Sequence, residues 1–202
     1  MVEAAPLARA TGVVVIRLVL AACACLGAAD AVAQRYDAVG QCRSGVPNGA
    51  YELRGSDGRL RVAGAFSQGR MTGTFIFWGD GGARFAVLPL DNGMRSGTVA
   101  QWYAAPDGRT EARQKIEAPY VDDRPHGVKR SWYAGGALRT EIRYDHGVIV
   151  EAHAWSEGGA PLTESDAWVL AERDADADEQ SYASLVALVR QHLPVCEPES
   201  TG

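Results

Sequence analysis

The sequence predicts a mainly β fold, an antiparallel array of about five β-hairpin repeats followed by a C-terminal helical segment. Three observations lead to this prediction. Glycine-punctuated units with an aromatic residue at a fixed position recur between residues 45 and 163. The segments between the glycines alternate apolar and polar residues, as half-buried strands do. Residues 164–195 contain no glycine and are rich in helix formers, which indicates one or two helices.

Residues 1–33 have the features of a secretory signal peptide. Arg9 and Arg17 form a positive N-terminal region, the apolar run over 18–29 is too short to span a bilayer, and residues 31–33 are an A-x-A cleavage site. The segment 20–23 also resembles a lipobox, in which Cys23 would be lipidated. We therefore expect an exported protein, periplasmic or secreted. A lipoprotein anchored at Cys23 is the alternative, and an uncleaved anchor is a third interpretation.

The cysteines support the same compartment. Cys23 and Cys25 lie in the signal segment, so cleavage leaves Cys42 in the lead-in segment 34–44 and Cys196 in the tail 196–202. A lone pair outside the cytoplasm is usually a disulfide, and we predict that this bond forms. Two unrelated buried thiols are the alternative, while two distant cysteines without a matched histidine do not make a zinc site.

The middle of the chain is a repeat with the pattern G-x3-G-x4-W-x3-G. Four tryptophans are spaced by 24, 30 and 23 residues, and the unit occurs five times, with Arg54 replacing tryptophan in the first unit and Val150 replacing glycine in the last. The longer spacing predicts an expansion of the third hairpin that runs through residues 118–120. The repeat signature residues are Gly49, Gly73, Trp78, Gly82, Gly97, Trp102, Gly127, Trp132, Gly136, Trp155 and Gly159.

Each unit is predicted to be a β-hairpin whose face is covered by its neighbours. Glycine and aspartate at the turns supply the positive φ that tight hairpin turns require. The segment 138–145 alternates Leu, Thr, Ile and Tyr with Arg, Glu, Arg and Asp, as a strand with one buried face does. Ten strands and a line of tryptophan rings along the array are expected. The prolines Pro47, Pro89, Pro119 and Pro125 are predicted to lie between strands or at their ends.

The segment 132–147, WYAGGALRTEIRYDHG, resembles the bacterial variant of the MORN repeat, the antitoxin-like MORN repeat family. The resemblance covers residues 45–163. It implies a β-hairpin array that acts in scaffolding, protein binding or lipid-headgroup contact, and it supplies no catalytic residues. The departures at Arg54 and Val150 are typical of terminal capping units.

The C-terminal segment 164–195 carries an amphipathic pattern. Asp176, Asp178 and Glu179 are expected at the start of its main helix, where the helix dipole favours acidic residues, and an earlier helical turn is expected to bury Trp168. The apolar stripe of the helix consists of Tyr182, Leu185, Val186, Val189 and Leu193.

Charge and motif content exclude several functions. A net charge of -5 argues against a nucleic-acid partner. The acidic run 174–178 begins like a calcium loop, but Glu179 and Leu185 occupy the positions that require glycine and glutamate. The four histidines show no metal-binding spacing, and no phosphate loop or nucleophile elbow is present. We expect no enzyme, no cofactor and no metal; a hydrolase with an unrecognised site is the remote alternative.

The aromatic row supplies the candidate ligand contacts, Trp102, Tyr103, Trp132 and Tyr133. Two hypotheses compete for it: the rings form the core of the array, or they form an exposed stacking surface. The main functional hypothesis is a non-enzymatic, exported protein-interaction scaffold whose partner is another envelope protein. The alternative is binding of envelope glycan or lipid headgroups through the aromatic row.

Overall fold

The computed structural model describes residues 36–104 and 113–197. The predicted signal peptide, with Cys23, and Gly108 in the expanded third hairpin lie outside these ranges. Twelve strands form one antiparallel sheet, and one helix, α1 (Glu164–Gln191), follows them. The strands are β1 (Tyr36–Arg43), β2 (Val46–Gly55), β3 (Leu60–Ser67), β4 (Arg70–Trp78), β5 (Arg84–Asp91), β6 (Met94–Arg95), β7 (Gly97–Trp102), β8 (Gln114–Val121), β9 (Arg124–Pro125), β10 (Gly127–Trp132), β11 (Leu138–Asp145) and β12 (Val148–Ala154).

The predicted fold class is confirmed. Ten strands follow one another across the sheet as successive hairpins, and the two-residue strands β6 and β9 pair with β5 and β8. The repeat array differs from the prediction at both of its ends. The sheet begins with β1, which lies in the predicted lead-in, and the last unit contributes β12 alone, because beyond it Trp155 pairs with Pro161 through a single bridge. The predicted position of the third-hairpin expansion, through residues 118–120, is wrong, because these residues lie inside β8. The additional residues lie between β7 and β8 instead.

The hairpin tips at one end of the strands explain why most units begin with a glycine. Gln68 and Gly69, between β3 and β4, have φ of 50° and 77°, the positive pair that a type I′ turn needs. The other such tips are Ser44–Gly45, Asn92–Gly93, Asp122–Asp123 and His146–Gly147. The N–H of Gly69 also donates to the Pro47 carbonyl, 2.8 Å away, and Gly93, Asp123 and Gly147 repeat this bond one unit further along. These four tips are therefore each hydrogen-bonded to the preceding unit.

At the other end of the strands, the last glycine of the four units whose loops the structure describes closes a three-residue loop. Gly58 has φ of 75°, and its N–H donates to the Gly55 carbonyl while the Gly55 N–H donates to the Arg59 carbonyl. This is a turn followed by a left-handed residue, which glycine adopts without steric cost. The same arrangement recurs at Gly82, Gly136 and Gly159.

Two prolines depart from their predicted positions. Pro89 and Pro119 lie inside β5 and β8 rather than at strand ends. Their carbonyls accept the N–H of Ser96 and His126, at 3.1 and 3.0 Å, where the neighbouring strand is interrupted before Gly97 and Gly127. The hydrogen-bond ladder between neighbouring strands is already interrupted at these positions. A proline, which has no N–H to donate, is therefore tolerated inside the strand.

The core lies between one face of the sheet and α1. Its larger cluster includes Tyr51, Phe75 and Leu88 from the sheet together with Val186 and Val189 from the helix. A second cluster joins β11 and β12 to the N-terminal half of α1, with Trp168 packed against it. In β11 the predicted alternation is confirmed, since its Thr, Ile and Tyr at 140–144 are buried. The core therefore includes the buried part of the predicted helical stripe.

A single helix forms the C-terminal segment, which agrees with the prediction of one or two helices. It begins after Thr163, whose hydroxyl oxygen accepts the Asp166 N–H at 3.2 Å as an N-cap. Asp176, Asp178 and Glu179 therefore lie in the middle of a 28-residue helix, and the expectation that they mark its start is wrong. Leu193 lies beyond the helix and is exposed.

The disulfide between Cys42 and Cys196 is present, with the two Cα atoms 5.6 Å apart. It attaches the segment after α1 to β1. In the same region the Tyr51 hydroxyl donates to the His192 carbonyl at 2.8 Å, and burial raises the pKa of Tyr51 to about 12. The end of the helix is thus fixed to the first strands of the sheet by one covalent and one hydrogen bond.

Gly64 offers a test of this packing. A Cβ at this position would lie 2.5 Å from the Phe75 ring, although the backbone conformation is an ordinary one. We expect Gly64→Ala to lower the free energy of unfolding by about 1–3 kcal/mol through overpacking. Gly81→Ala is the matched control, because a Cβ there meets nothing within 4 Å; its effect should stay within about 0.5 kcal/mol. Urea denaturation measures both, and equal effects would contradict the packing of Phe75 on Gly64.

Candidate functional site

The tryptophans that recur at the same position of successive units lie on the face of the sheet that α1 does not cover. Phe77 is fully buried under the helix, and Trp78 follows it in β4, so its side chain points to the opposite side. Trp102 and Trp132 likewise follow the buried Gln101 and Ser131. All are partly buried, and neither they nor Trp155 belong to the core clusters formed by the described residues. The hypothesis that these rings form the core is therefore wrong.

The tryptophans occupy equivalent positions in successive units. Trp78 pairs across the strands with Arg84, and the following pairs are Trp102 with Gln114 and Trp132 with Leu138. Since one strand lies between the strands of neighbouring tryptophans, their backbones are two interstrand spacings, about 9–10 Å, apart. The Arg84 guanidinium lies 4.3 Å from the centre of the Trp102 ring, a cation–π contact that covers one face of that ring.

Beside the tryptophan row, the uncovered face has an apolar half and a charged half. Ala63, Ile76, Val87 and Ala100 form one continuous register across β3, β4, β5 and β7. The same register continues into the charged half as Glu117, Arg130, Glu141 and His153. We call the apolar half, together with Trp78 and Trp102, the outer aromatic face. It combines aliphatic and aromatic side chains with the guanidinium of Arg84.

The two tyrosines that the sequence grouped with the tryptophans lie on the other side. The Tyr103 hydroxyl donates to the Trp132 carbonyl at 2.7 Å, and the Tyr133 hydroxyl donates to the Trp155 carbonyl at 2.8 Å. Each tyrosine thus links one unit to the next. The four candidate ligand contacts consequently do not form one surface, because Trp102 lies on the face opposite the helix, while Tyr103 lines the cleft beneath the helix, which Trp132 also borders.

A charged cleft of about 260 Å³ lies between α1 and the strands β7–β11. The only two lysines of the chain, Lys115 and Lys129, line it together with Tyr103. Lys129 is 3% exposed and forms an ion pair with Asp178, one of the acidic residues in the middle of the helix. Burial raises the pKa of the Asp178 carboxyl, and the nearby ammonium of Lys129 acts in the opposite direction.

Two further ion pairs fix the same helix to the sheet. Arg139 pairs with Asp174 at the edge of the cleft. Arg95, which is buried, contacts Glu179 at 2.6 Å and Asp123 at 2.5 Å, and its guanidinium lies between the rings of Tyr120 and Tyr182. Two of the cations that line the cleft, Lys129 and Arg139, are thus paired with carboxylates of α1. We interpret the cleft as the element that sets the position of the helix on the sheet.

The acidic run of α1 has no calcium-loop geometry. Asp174 and Asp178 lie one turn apart on a continuous helix, and their carboxylates contact Arg139 and Lys129. The sequence analysis missed this arrangement. The i,i+4 spacing of the two aspartates was a signal for it, but their partners lie 35 and 49 residues away and cannot be found from local pattern.

A scan against models of known protein families matched none of them, and a search of curated proteins found no relative. Within the part of the chain that the structure describes, no helix combines the length and the apolar character needed to cross a bilayer.

Proposed function

We propose that the chain is a non-enzymatic, exported repeat module that binds another envelope protein on its outer aromatic face. The observation that carries this proposal is the position of Trp78 and Trp102 beside an aliphatic register on the side of the sheet opposite α1. Tryptophan and arginine are enriched among the residues that dominate protein–protein binding energy. Arg84, in contact with Trp102, supplies the second of these residue types.

The chemistry of this face favours a protein over a glycan. A sugar that stacks on Trp102 from the Arg84 side would have to displace the guanidinium, which at an exposed site costs about 0.5–1 kcal/mol. The aliphatic side chains of Ile76 and Val87 offer a sugar few hydrogen bonds, whereas they match the apolar centre of a protein interface. Binding of envelope glycan or lipid headgroups through the tryptophan row remains the competing proposal.

The disulfide supports export. Bonds of this kind persist in the periplasm and outside the cell and are rare in the cytosol, and Cys42–Cys196 closes nearly the whole described chain into one loop. Together with the signal segment 1–33, this favours a periplasmic or secreted protein, with lipid attachment at Cys23 as the alternative. We include membership of the bacterial MORN-repeat variant type in this proposal, on the basis of the sequence resemblance and the recurring hairpin turns.

The test is a double variant of the outer aromatic face. We expect Trp78→Ala with Trp102→Ala to reduce retention of the envelope partner at least about tenfold, because tryptophan hot spots contribute about 2 kcal/mol or more each. Retention is measured by quantitative pull-down from envelope extract, with the binding partner confirmed by cross-linking to this face. Trp155→Ala is the matched control, since Trp155 lies at the charged end of the row.

The competing proposal has a distinct outcome. Sedimentation with peptidoglycan or with liposomes of anionic and neutral lipids is measured for the same three proteins. If the wild type sediments with either material, the double variant does not, and no stoichiometric protein is recovered, then the aromatic face binds glycan or lipid and the protein-partner proposal is overturned.

A further inference from the structure

Two histidines and an aspartate lie close together at the end of the strands that carries the two-residue hairpin tips. They are His126, Asp145 and His146, and each offers a ligand atom within 4.8 Å of the others. His126 Nδ1 lies 3.5 Å from Asp145 Oδ1, and His146 Nδ1 lies 2.6 Å from the same oxygen. The two imidazole rings have their centres 4.5 Å apart. The side chains are accessible, since Asp145 and His146 are exposed and His126 is partly exposed.

The fold fixes the backbones that bring these groups together. Asp145 ends β11, and His146 is the first residue of a type I′ turn with φ of 47°. The next residue, Gly147, donates its N–H to the Pro125 carbonyl at 2.8 Å, so this tip is held against the residue that precedes His126. His126 is itself held by its N–H bond to the Pro119 carbonyl. The site is thus built from two units of the array.

His126 Nδ1 accepts the His146 N–H at 3.3 Å, a bond that a metal at Nδ1 would replace. One pair of ligand atoms already has the separation that a divalent transition metal requires. At metal–ligand distances of about 2.0–2.1 Å, two ligand atoms of a tetrahedral site lie about 3.3 Å apart. The separation of 3.5 Å between His126 Nδ1 and Asp145 Oδ1 matches this value. The shorter His146–Asp145 contact needs an opening of less than about 1 Å, which exposed side chains reach by rotation.

The preceding unit shows that this combination is not an automatic product of the repeat. The Ser96 N–H donates to the Pro89 carbonyl just as the His126 N–H donates to the Pro119 carbonyl. Likewise, the Asp123 N–H donates to the Arg95 carbonyl as the Gly147 N–H donates to the Pro125 carbonyl. These hydrogen bonds align Ser96 with His126, Val121 with Asp145, and Asp122 with His146. The preceding unit therefore lacks the imidazoles, although its backbone has the same arrangement.

We propose that His126, Asp145 and His146 form a binding site for a divalent transition metal of the Zn²⁺ class. Two imidazoles and one carboxylate are ligands that Zn²⁺, Ni²⁺ and Cu²⁺ accept, whereas Ca²⁺ and Mg²⁺ prefer oxygen ligands alone. Three protein ligands leave a coordination position for water. The sequence analysis expected no metal because the histidines lack motif spacing. Their separation along the chain instead corresponds to one step of the array.

The experiment is isothermal titration of untagged, EDTA-treated protein with ZnCl₂. We expect one Zn²⁺ per chain with a dissociation constant in the micromolar range. His126→Ala should weaken binding at least tenfold, and so should the triple variant His126→Ser, Asp145→Val, His146→Asp. The triple variant carries the residues of the preceding unit, so its turn retains residues that tolerate positive φ. Thermal melting without metal checks that each variant is folded.

The matched control is His153→Ala, which removes an exposed histidine that contacts Glu151 elsewhere on the sheet. We expect it to bind Zn²⁺ like the wild type, and CaCl₂ to give no saturable heat with any of the proteins. In a second readout, Cu²⁺ bound to the wild type should show coupling to two imidazole nitrogens by electron paramagnetic resonance, and coupling to one in His126→Ala. The proposal is overturned if the wild type binds no Zn²⁺, or if it binds Zn²⁺ no more tightly than the triple variant.

Discussion

Removal of the Cys42–Cys196 bond by Cys42→Ser with Cys196→Ser is expected to lower the free energy of unfolding by about 4–5 kcal/mol. The two cysteines are 154 residues apart, so the bond closes a loop that contains the strands β2–β12 and α1. A cross-link over so long a loop removes a large amount of conformational entropy from the unfolded chain, and the loss of entropy sets the size of the effect in the chain-entropy model. Guanidinium denaturation of the wild type and the double variant measures it.

The wild type treated with a reducing agent serves as the control, because it loses the bond without any change of side chain. Its midpoint should move to that of the double variant, and thiol titration of the oxidised, unfolded protein should find neither Cys42 nor Cys196 free. A difference below 1 kcal/mol between oxidised and reduced protein would show that the unfolded chain is already compact, and the entropic account would then be wrong for this protein.

The turns could be predicted from the sequence because their chemistry is local. A narrow hairpin tip needs two residues with positive φ, and Asn92–Gly93 meets this need from the composition of two neighbouring residues. The closing glycines of the three-residue loops, such as Gly82 and Gly136, follow from the same constraint. Because these positions recur with the repeat, the hairpin order of the sheet could be predicted as well.

The faces of the strands could not be predicted everywhere, because hydropathy in β10 runs against the burial pattern. Lys129 and Ser131 are buried under the helix, while Val128 and Trp132 are only partly buried on the other face. Lys129 is accommodated by Asp178 of α1, and this partner is 49 residues away in sequence. A buried cation with a distant counter-charge gives no local signal, so the alternation alone assigns the wrong face to the tryptophan row.

The start of the helix has a local sequence signal at Thr163, whereas the acidic residues of 176–179 predict a later start. Thr163 and Asp166 have the spacing of a capping box, and the Thr163 hydroxyl indeed accepts the Asp166 N–H. The acidic residues of 176–179 resemble a helix start by charge alone. Asp178 and Glu179 instead form ion pairs with Lys129 and Arg95 of the sheet, so their charges report ion pairing between the helix and the sheet. The histidine–aspartate cluster was missed for a related reason, since its members lie in different units.

Phe75→Ala is expected to lower the free energy of unfolding by about 3–5 kcal/mol. Phe75 is fully buried, and its ring contacts the rings of Tyr51 and Phe66, with centres 6.3 and 5.8 Å away. Truncation removes the transfer free energy of the ring and leaves a cavity that the sheet can fill only in part. Phe85→Ala is the matched control, because Phe85 is only partly buried at the margin of the same cluster; its effect should be clearly smaller in the same urea titration.

The contact between Phe75 and Gly64 makes this prediction sharper. In the wild type, Gly64→Ala forces a methyl group against the ring, at the 2.5 Å separation between the added Cβ and the ring atoms. In the Phe75→Ala background the ring is absent and the same methyl group enters the cavity, so Gly64→Ala should become neutral or stabilising. The double-mutant cycle should therefore give a coupling of about 1–3 kcal/mol. Additive effects would mean that the two positions do not touch, and the register of β3 on β4 that places them together would be wrong.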